Sequence, residues 1–225
     1  MKTFRFAMVW VGLMSALTGV PLAAQAPADL LQHPVAVEHP GLTKISQQLQ
    51  ETPVVRARFE QEKKIKALRR PLRSSGRFLF ARDHGLYWHT LQPFDTQLVI
   101  NEAGMVQKEN GAVTLDISVE DRPIIHSFTK VFMALFAGDK EQLAKTFDLF
   151  LVEEEGEWWL GLKPKRRILK KVMDHIRLKG DLHLEEIHFI EKSGDQTIMK
   201  LTGVSVDPPQ LSDDERDLLH VSGGE

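Results

Sequence analysis

Hydrophobic and polar residues alternate with a period of two over a long segment that begins at Val54. Between Val54 and Ala67, five of the seven odd-numbered positions are apolar, whereas only one of the seven even-numbered positions is. Side chains on a β-strand point alternately to opposite faces, so this pattern predicts a long strand with one buried face and one solvated face. Such strands are typical of antiparallel sheets, because both faces of a parallel sheet are usually covered.

Further strand-like segments follow at the spacing of β-hairpins. Short turn sequences separate the first of them: D-H-G at 83–85, E-A-G at 102–104 and N-G at 110–111. The first half of the chain therefore predicts a meander of neighbouring strands. Over the whole chain, the strands predicted after the first are residues 76–82, 86–90, 96–100, 105–108, 113–119, 146–152, 158–162, 176–179, 181–190 and 197–206.

A helical period interrupts the strands in a few places. Leu42, Ile45 and Leu49 recur at i, i+3 and i+7 and predict an amphipathic helix that ends near Pro53. The other predicted helices are residues 124–136, ended by Gly138; a short helix capped by Asp139 and Gln142; a basic piece at 165–173; and a C-terminal helix capped by Ser212 and Glu215.

The order of these elements predicts the fold class. Strands and helices do not alternate along the chain, so a parallel α/β sheet is excluded. We expect a mainly β protein in which one curved antiparallel sheet, an incomplete β-barrel, is covered on one face by helices. We expect residues 27–225 to form a single domain, since a chain of this length can bury a sizeable core.

The first 26 residues have the layout of a secretory signal peptide. Lys2 and Arg5 supply a positive start, residues 6–20 are apolar, and the small-residue segment 22–26 follows Pro21. The apolar stretch is short for a membrane span, although a retained anchor is the alternative. Cleavage after Ala26 would place Pro27 next to the cut, so cleavage after Ala24 or Ala28 competes. Export without cysteine predicts a bacterial periplasmic protein.

Composition excludes several classes of function. The chain has no Cys, and therefore no thiol nucleophile, no Cys-ligated zinc and no site for a lipoprotein acyl chain. Its formal net charge of −2 gives no overall positive field for nucleic acid, and we expect no nucleic-acid partner. The basic run at 163–171 has two interpretations, a site for anionic lipid headgroups or an acidic partner, and an ordinary solvated helix face.

The sequence contains none of the common catalytic motifs. G-x-S-x-G, H-E-x-x-H, the P-loop and G-x-G-x-x-G are all missing, so the common hydrolase, zinc and phosphate-binding signals are absent, although the absence of a motif does not exclude an enzyme. One group of possible metal ligands lies on or beside a predicted strand, but His183 and His188 should point to opposite faces of it, so we expect no metal site. That group comprises Asp174, His175, His183, Glu185, Glu186 and His188.

Aromatic and aliphatic side chains share one face of the predicted strands. Phe78 and Phe80 lie on the same face as Arg82, and Leu86 and Trp88 follow on the next strand. Periodicity allows two interpretations of this face, an ordinary core under the helices and the wall of a ligand cavity. Arg82 does not fit the interpretation as an ordinary core. A guanidinium on an apolar face must either find hydrogen-bond acceptors or reach solvent.

Short motifs on these strands match the pattern of a known family. A-R-F-E-Q at 57–61 resembles the A-x-F-x-Q of the first strand in the LolA family, whose members are periplasmic carriers of outer-membrane lipoproteins. G-R-F-L-F-A-R at 76–82, followed by L-Y-W at 86–88 and Pro93, resembles its G-x-L-x-x-x-R-P, F-x-W and P at matching spacing. The order of signal peptide, helix, strands, helices and strands is also similar, so the resemblance covers most of the mature chain.

The resemblance implies a binding protein rather than an enzyme, together with a set of site residues. In this family, an incomplete barrel closed by a helical lid shelters acyl chains, and Arg82 aligns with an arginine that hydrogen-bonds to the lid. The implied partners are an acylated lipoprotein or lipid cargo, an inner-membrane loading complex or transporter and an outer-membrane acceptor, with a monomeric protein and no cofactor. The implied cavity residues are Phe59, Phe78, Phe80, Leu86, Trp88, Leu98 and Ile100, and the implied lid contacts are Arg82, Phe128 and Phe132.

The sequence also departs from the family pattern. Asp83 replaces the usual Pro after the arginine, and residues 99–106 lack the usual D-G-x-x-L-W-x-Y. These departures indicate a divergent member whose cargo can be a glycolipid, a polyene ester or another acylated molecule. The lack of Cys separates it from LolB, the lipid-anchored receptor with the same fold. Two alternatives remain: a lipid-sensing envelope-stress regulator with this fold, and a secreted lipid hydrolase.

Overall fold

The computed structural model describes residues 26–118 and 123–220. The predicted signal peptide lies almost entirely outside the described residues. The helices are a 3-10 turn Leu30–Gln32, α1 (Pro40–Gln50), α2 (Pro123–Ala137), α3 (Lys140–Thr146), α4 (Arg167–Lys170) and α5 (Asp213–Leu219). The strands are β1 (Pro34–Val35), β2 (Val54–Lys64), β3 (Leu72–Ala81), β4 (Gly85–Gln92), β5 (Thr96–Ile100), β6 (Gly104–Glu109), β7 (Ala112–Ser118), β8 (Phe147–Glu154), β9 (Glu157–Pro164), β10 (Met173–Gly180), β11 (Leu184–Glu191) and β12 (Gln196–Ser205).

The strands form one antiparallel sheet in the order β1-β8-β9-β10-β11-β12-β2-β3-β4-β5-β6-β7. Most neighbours are consecutive in sequence, as expected for hairpins. The exception that joins the two halves of the sheet is the pairing of β12 with β2, in which Lys200 lies opposite Glu60. The order begins at β1 and ends at β7, so the sheet is not closed into a barrel. The predicted incomplete antiparallel barrel is confirmed.

Several predicted boundaries differ from the structure by a few residues, and some short elements were not predicted. The first long strand ends at Lys64 rather than Ala67, because a turn in which Leu68 N–H donates to Ile65 O begins the loop to β3. Of the basic segment 165–173, only Arg167–Lys170 is helical, since Met173 already belongs to β10. The 3-10 turn and β1 were not predicted because two or three residues carry no readable period.

One face of the sheet, here called the inner face, packs against α1, α2 and α3. The helices contribute Leu42 and Ile45 from α1, Leu135 and Phe136 from α2 and Leu143 from α3 to a single buried cluster with the sheet. Leu42 and Ile45 are spaced i, i+3, and Leu135 is spaced i, i+4 from Val131, which belongs to the same cluster; both spacings are those of one helical face. The inner face with its three helices therefore forms the main core of the molecule.

The opposite, outer face is covered locally by α5. Leu211 and Leu219 pack with Val54, Leu79 and Tyr87 in a second buried cluster. The Ser212 side chain accepts a hydrogen bond from Glu215 N–H, and the Glu215 side chain accepts one from Ser212 N–H, which is the predicted capping box. Helices thus lie on both faces of the sheet, whereas the sequence predicted them on one.

Arg56 of β2 ties α5 to the sheet. Its Nε lies 2.6 Å from Glu215 Oε1, and its Nη2 lies 2.8 Å from Glu215 Oε2. This two-pronged hydrogen bond from Arg56 lowers the pKa of Glu215 from 4.5 to about 2.

We expect acid to weaken the attachment of α5. Because the folded pKa of Glu215 is depressed to about 2, the unfolded chain takes up a proton first as the pH falls below 4.5, and the free energy of unfolding decreases between about pH 5 and pH 2. Urea unfolding across this range should show a shallower pH dependence for Glu215→Gln than for the unmodified protein. The control is Glu102→Gln at the exposed β5–β6 turn. Identical slopes for Glu215→Gln and the unmodified protein would contradict the expectation.

Candidate functional site

The predicted cavity residues lie together on the inner face of the sheet. Phe78 of β3 is paired with Ala57 of β2 on one side and with Trp88 of β4 on the other, so that their side chains share the face. Leu98 is partly buried against this layer. The remaining predicted cavity residues are fully buried there: Phe59, Phe78, Phe80, Leu86, Trp88 and Ile100. Whether they bind a ligand stays a prediction.

Aromatic rings connect the sheet to α2, the helix that the family resemblance predicts to be a lid and that is here called the lid helix. The ring centroids of Phe59 and Trp88 lie 4.2 Å apart, and those of Phe78 and Trp88 lie 5.5 Å apart. Phe136 of α2 lies over the same rings, with centroids 4.7 Å from Phe78 and 5.6 Å from Phe80. These distances are typical of favourable aromatic pairs. Phe136 was not among the predicted lid contacts, although it falls on the predicted helical stripe.

Gly76 leaves room for the ring of Phe59 and for the backbone of β4. It is paired with Phe59 across the sheet, and a Cβ at residue 76 would collide with His89 O and lie 2.9 Å from Phe59 Cε1. A residue with a side chain does not fit here without moving the backbone of β4. The glycine in the quoted family motif therefore has a packing reason in this chain.

Arg82 follows β3 and fastens the ends of two helices. Its Nη1 donates to Ala137 O of α2 at 2.9 Å, and its Nη2 donates to Leu49 O at 3.0 Å and Gln50 O at 2.8 Å in α1. These carbonyls belong to the last turns of the helices, where the regular hydrogen bonds of the helix run out; Leu49 O also accepts from Thr52 N–H at 3.3 Å. The structure thus places Arg82 on the end of the lid helix, and adds an attachment to α1 that sequence reasoning missed.

A second polar contact joins α1 directly to the end of α2. Ser46 Oγ donates to Gly138 O at 2.6 Å, and Gln50 Nε2 donates to Ser46 Oγ at 2.9 Å and to Gly138 O at 3.2 Å. Gly138 has a φ of 66°, the left-handed conformation that ends many helices. Ser46 and Gln50 were missed because polar residues on an amphipathic helix are usually solvated. With Arg82, these residues form what we call the latch.

The remaining predicted lid contacts have different positions. Phe132 of α2 contacts Phe189 of β11, with ring centroids 5.8 Å apart, so it packs on the far half of the sheet from Phe78 and Trp88. The side chain of Phe128 lies outside the described residues. The lid helix therefore bridges the two halves of the sheet, with Phe136 on one half and Phe132 on the other.

Two polar groups inside the apolar layer lack partners. Within residues 26–118 and the described part of 123–220, neither Trp88 Nε1 nor Thr129 Oγ1 makes a hydrogen bond. Trp88 is 6% exposed and Thr129 is 4% exposed. Thr129 shares a helical face with Phe132 and Phe136, because the three are spaced i, i+3 and i+7 on α2. Burial of an unpaired donor costs about 1–3 kcal/mol, so both groups can gain from an acceptor that enters this layer.

The group of possible metal ligands on β10 and β11 instead forms hydrogen-bonded pairs. His188 Nε2 lies 2.8 Å from Glu186 Oε2, and His175 Nδ1 lies 2.7 Å from Asp174 Oδ2. Burial lowers the pKa of His175, against the opposing effect of Asp174. Among the described residues, no three His, Asp or Glu side chains are grouped closely enough to hold a metal ion.

An acidic recess of about 630 Å³ lies at the end of the sheet that carries the β8–β9 hairpin. The lining includes Ile45 and Trp158, which also belong to the buried inner layer. The acidic residues of the recess are Glu153, Glu154, Glu155, Glu157 and Asp181, opposed by Lys44 of α1. We call this end of the molecule the acidic end.

No helix in the described parts of the chain is long and apolar enough to cross a membrane.

Comparison with known proteins identifies one matching family. The family model described as outer membrane lipoprotein carrier protein LolA matches residues 50–214. No curated protein sequence matches the chain. Among solved structures, a LolA superfamily protein from Nitrosomonas europaea is 8% identical, with 77% of this chain and 96% of that chain covered and a TM-score of 0.43.

Two further solved structures are similar to the chain. A putative outer membrane lipoprotein-sorting protein domain from Vibrio parahaemolyticus is 10% identical, with 80% of this chain and 97% of that chain covered and a TM-score of 0.40. MucB is 13% identical, with 79% of this chain and 63% of that chain covered and a TM-score of 0.39.

Proposed function

The chain belongs to the LolA family, and on that premise we propose that it is a periplasmic carrier that shelters the acyl chains of a lipoprotein or lipid between α2 and the inner face of the sheet. The observation that carries the proposal is the construction of this layer. In this layer, the rings of Phe78 and Trp88 on the sheet and Phe136 on the lid helix are in contact. The end of the lid helix, by contrast, is held by polar hydrogen bonds of the latch, including that of Arg82. Such a lid can separate from the sheet without breaking a covalent or metal link.

The driving force for cargo binding is the burial of acyl chains. Each CH₂ group moved from water to an apolar site contributes about 0.8 kcal/mol, whereas transfer from a membrane to the carrier is nearly balanced because the lipid interior is equally apolar. In the closed form, Phe136 occupies the space over Phe78 and Phe80. An acyl chain must displace this ring, and closure of the empty lid favours release.

The unpaired donors suggest which part of the cargo enters. An ester or amide carbonyl is the acceptor that joins every acyl chain to a lipoprotein or glycerolipid. Trp88 Nε1 and Thr129 Oγ1 are buried donors without a partner among the described residues. We therefore assign acyl esters or amides, rather than plain hydrocarbons, as the cargo class. We further propose that the carrier acts as a monomer and moves its cargo from an inner-membrane complex toward an outer-membrane acceptor.

Trp88→Phe separates burial of the chain from recognition of the carbonyl. The phenyl ring keeps most of the apolar contact with Phe59 and Phe78 but lacks the N–H donor. We expect the unmodified protein to bind a long-chain ester about tenfold more tightly than the ether of equal length, and Trp88→Phe to lose this preference. Displacement of a fluorescent fatty-acyl probe measures both affinities.

The outcomes distinguish the alternatives. Trp159→Phe is the matched control, because Trp159 lies on the outer face beside His188. If the ester preference survives in Trp88→Phe, the role of the N–H is wrong while the carrier function stands. If neither ester nor ether binds to the unmodified protein, the carrier function is wrong. Release of fatty acid from a phospholipid during the same measurement would indicate a hydrolase instead.

A further inference from the structure

One end of the sheet concentrates positive charge that the carrier function does not use. Three loops lie at this end: residues 65–71 between β2 and β3, residues 165–172 between β9 and β10, and residues 192–195 between β11 and β12. We call them the basic rim. Together they contain nine Lys or Arg residues and one Asp, although the whole chain has a formal net charge of −2.

The three loops form one continuous surface. Lys192 N–H donates to Val172 O at 3.1 Å, which joins the β11–β12 turn to the β9–β10 loop. Lys66 N–H donates to Asp195 Oδ1 at 2.9 Å, which joins the same turn to the β2–β3 loop. The strand order β9-β10-β11-β12-β2-β3 makes these loops neighbours along the edge of the sheet.

Most cations of the rim are not neutralised within the molecule. Lys165 pairs with Asp148, and Lys192 pairs with Asp174. The other seven have no carboxylate partner in the part of the chain that the structure describes. They are Lys66, Arg69, Arg70, Arg166, Arg167, Lys170 and Lys171, and all are exposed.

Exposed aliphatic side chains lie among these cations. Ile168 and Val172 are each 47% exposed, and Leu68 on the neighbouring loop is 48% exposed. Between them, Leu169 is only 1% exposed and anchors the short helix α4 to the body of the protein. A charged surface that contacts only water gains nothing from three exposed branched aliphatic side chains. A surface that enters the headgroup region of a membrane uses this combination.

The rim and the acidic end lie at opposite ends of the sheet. Strands β9 and β10 run the length between them, since β9 begins at Glu157 beside the acidic hairpin and leads into Lys165. This separation of charge gives the molecule an electric dipole along the strands. Near an anionic surface, the rim is attracted and the acidic end is repelled.

We propose that the basic rim docks the protein on anionic phospholipid bilayers, with Leu68, Ile168 and Val172 inserted among the headgroups. Cations alone would fit an acidic protein equally well. The exposed aliphatic chains favour the bilayer, because insertion removes them from water at the same site where the cations meet phosphate. Docking requires no cargo, so this inference stands apart from the proposed carrier function.

Vesicle flotation of the empty protein tests the proposal. We expect binding to vesicles of equimolar phosphatidylcholine and phosphatidylglycerol, little binding to phosphatidylcholine alone, and a steep loss at high salt as the screening length falls from about 10 Å at 0.1 M to about 3 Å at 1 M. The double variant Lys170→Gln, Lys171→Gln should bind about 25-fold more weakly, at roughly fivefold per cation.

The aliphatic contribution has its own variant. Ile168→Ser with Val172→Ser should weaken vesicle binding about tenfold while leaving the salt dependence unchanged. Leu182→Ser is the aliphatic control, because Leu182 is 63% exposed at the acidic end. Lys44→Gln with Lys130→Gln is the charge control on α1 and α2. All of these positions are exposed, so thermal unfolding should be unchanged.

Three results would overturn the proposal. Equal binding to both vesicle types would remove the role of the cations. Full binding by Ile168→Ser with Val172→Ser, together with displacement from vesicles by soluble polyglutamate, would assign the rim to an acidic protein. Absence of flotation for the unmodified protein would remove membrane docking altogether. The rim variants should bind the fatty-acyl probe as tightly as the unmodified protein does. This measurement therefore tests the carrier function separately from membrane docking.

Discussion

Replacing Arg82 by Leu should loosen the lid of the empty protein. The amides of residues 124–138 are expected to exchange hydrogen at least tenfold faster in Arg82→Leu, because three hydrogen bonds from one guanidinium to Ala137, Leu49 and Gln50 are lost. A hydrogen bond to a charged group contributes about 1.5–3 kcal/mol when buried. Arg82 is only half-buried, and solvent weakens its interactions, so we expect its three hydrogen bonds together to contribute about 1.5–3 kcal/mol.

The same change should alter the cycle of loading and release. With the closed empty form weakened, acyl chains enter more easily, and the empty form competes less well with the loaded one. Affinity for a fluorescent fatty-acyl probe should rise about tenfold, and its transfer to acceptor vesicles should slow. A loaded carrier that cannot release its cargo is the functional consequence.

Arg77→Leu is the matched control for Arg82→Leu. Arg77 lies on β3, the strand that ends just before Arg82, but it points to the outer face opposite His89 and is exposed. It should leave both exchange and affinity unchanged. Equal exchange of residues 124–138 in Arg82→Leu and the unmodified protein would show that Arg82 does not hold the lid, even though its hydrogen bonds are present.

Replacing Phe136 by Ala should have the largest effect on stability. Phe136 is 4% exposed and packs against both Phe78 and Phe80. Truncation of a buried Phe to Ala typically costs about 3–5 kcal/mol, since the transfer free energy is lost and a cavity remains. Urea unfolding of the empty protein should report a loss of this size.

Cargo should partly reverse that loss. In Phe136→Ala the space over Phe78 and Phe80 is vacant, and an acyl chain can fill it without displacing a ring. We therefore expect tighter binding of a long-chain lipid and a larger stabilisation by saturating lipid than in the unmodified protein. Phe132→Ala, a half-buried position on the same helix, should cost about 1 kcal/mol. Lower stability with unchanged lipid affinity would mean that Phe136 is not displaced by cargo.

Local patterns predicted most of the strands correctly. The alternation around Phe59, Phe78 and Trp88 placed these residues on one face, and β5 has the predicted bounds of Thr96–Ile100. The caps at Asp139 and Ser212 were also correct, since the donors that they satisfy lie within three residues. These features depend on period, turn residues and short-range hydrogen bonds, all of which can be read along the chain.

The latch could be predicted only in part. The resemblance to the LolA family suggested that Arg82 contacts the lid helix, and Ala137 O is one of its acceptors. The other two acceptors belong to α1, more than thirty residues before Arg82 in the chain. Ser46 and Gln50 bond to Gly138 across a still longer separation. No period along the sequence reports such contacts, because they exist only once both helices pack on the sheet.

The basic rim, like the latch, could be predicted only in part from the sequence. Charge and period are local properties, so the amino-acid sequence is sufficient to show that residues 163–171 are strongly basic and that the chain forms an antiparallel sheet with one aromatic face. The exposure of Ile168 and Val172, and the position of the loop 65–71 on the same surface, become visible only in the folded chain. That neighbourhood follows from the pairing of β12 with β2, a contact between distant parts of the chain that is stabilised by burial of the whole inner face.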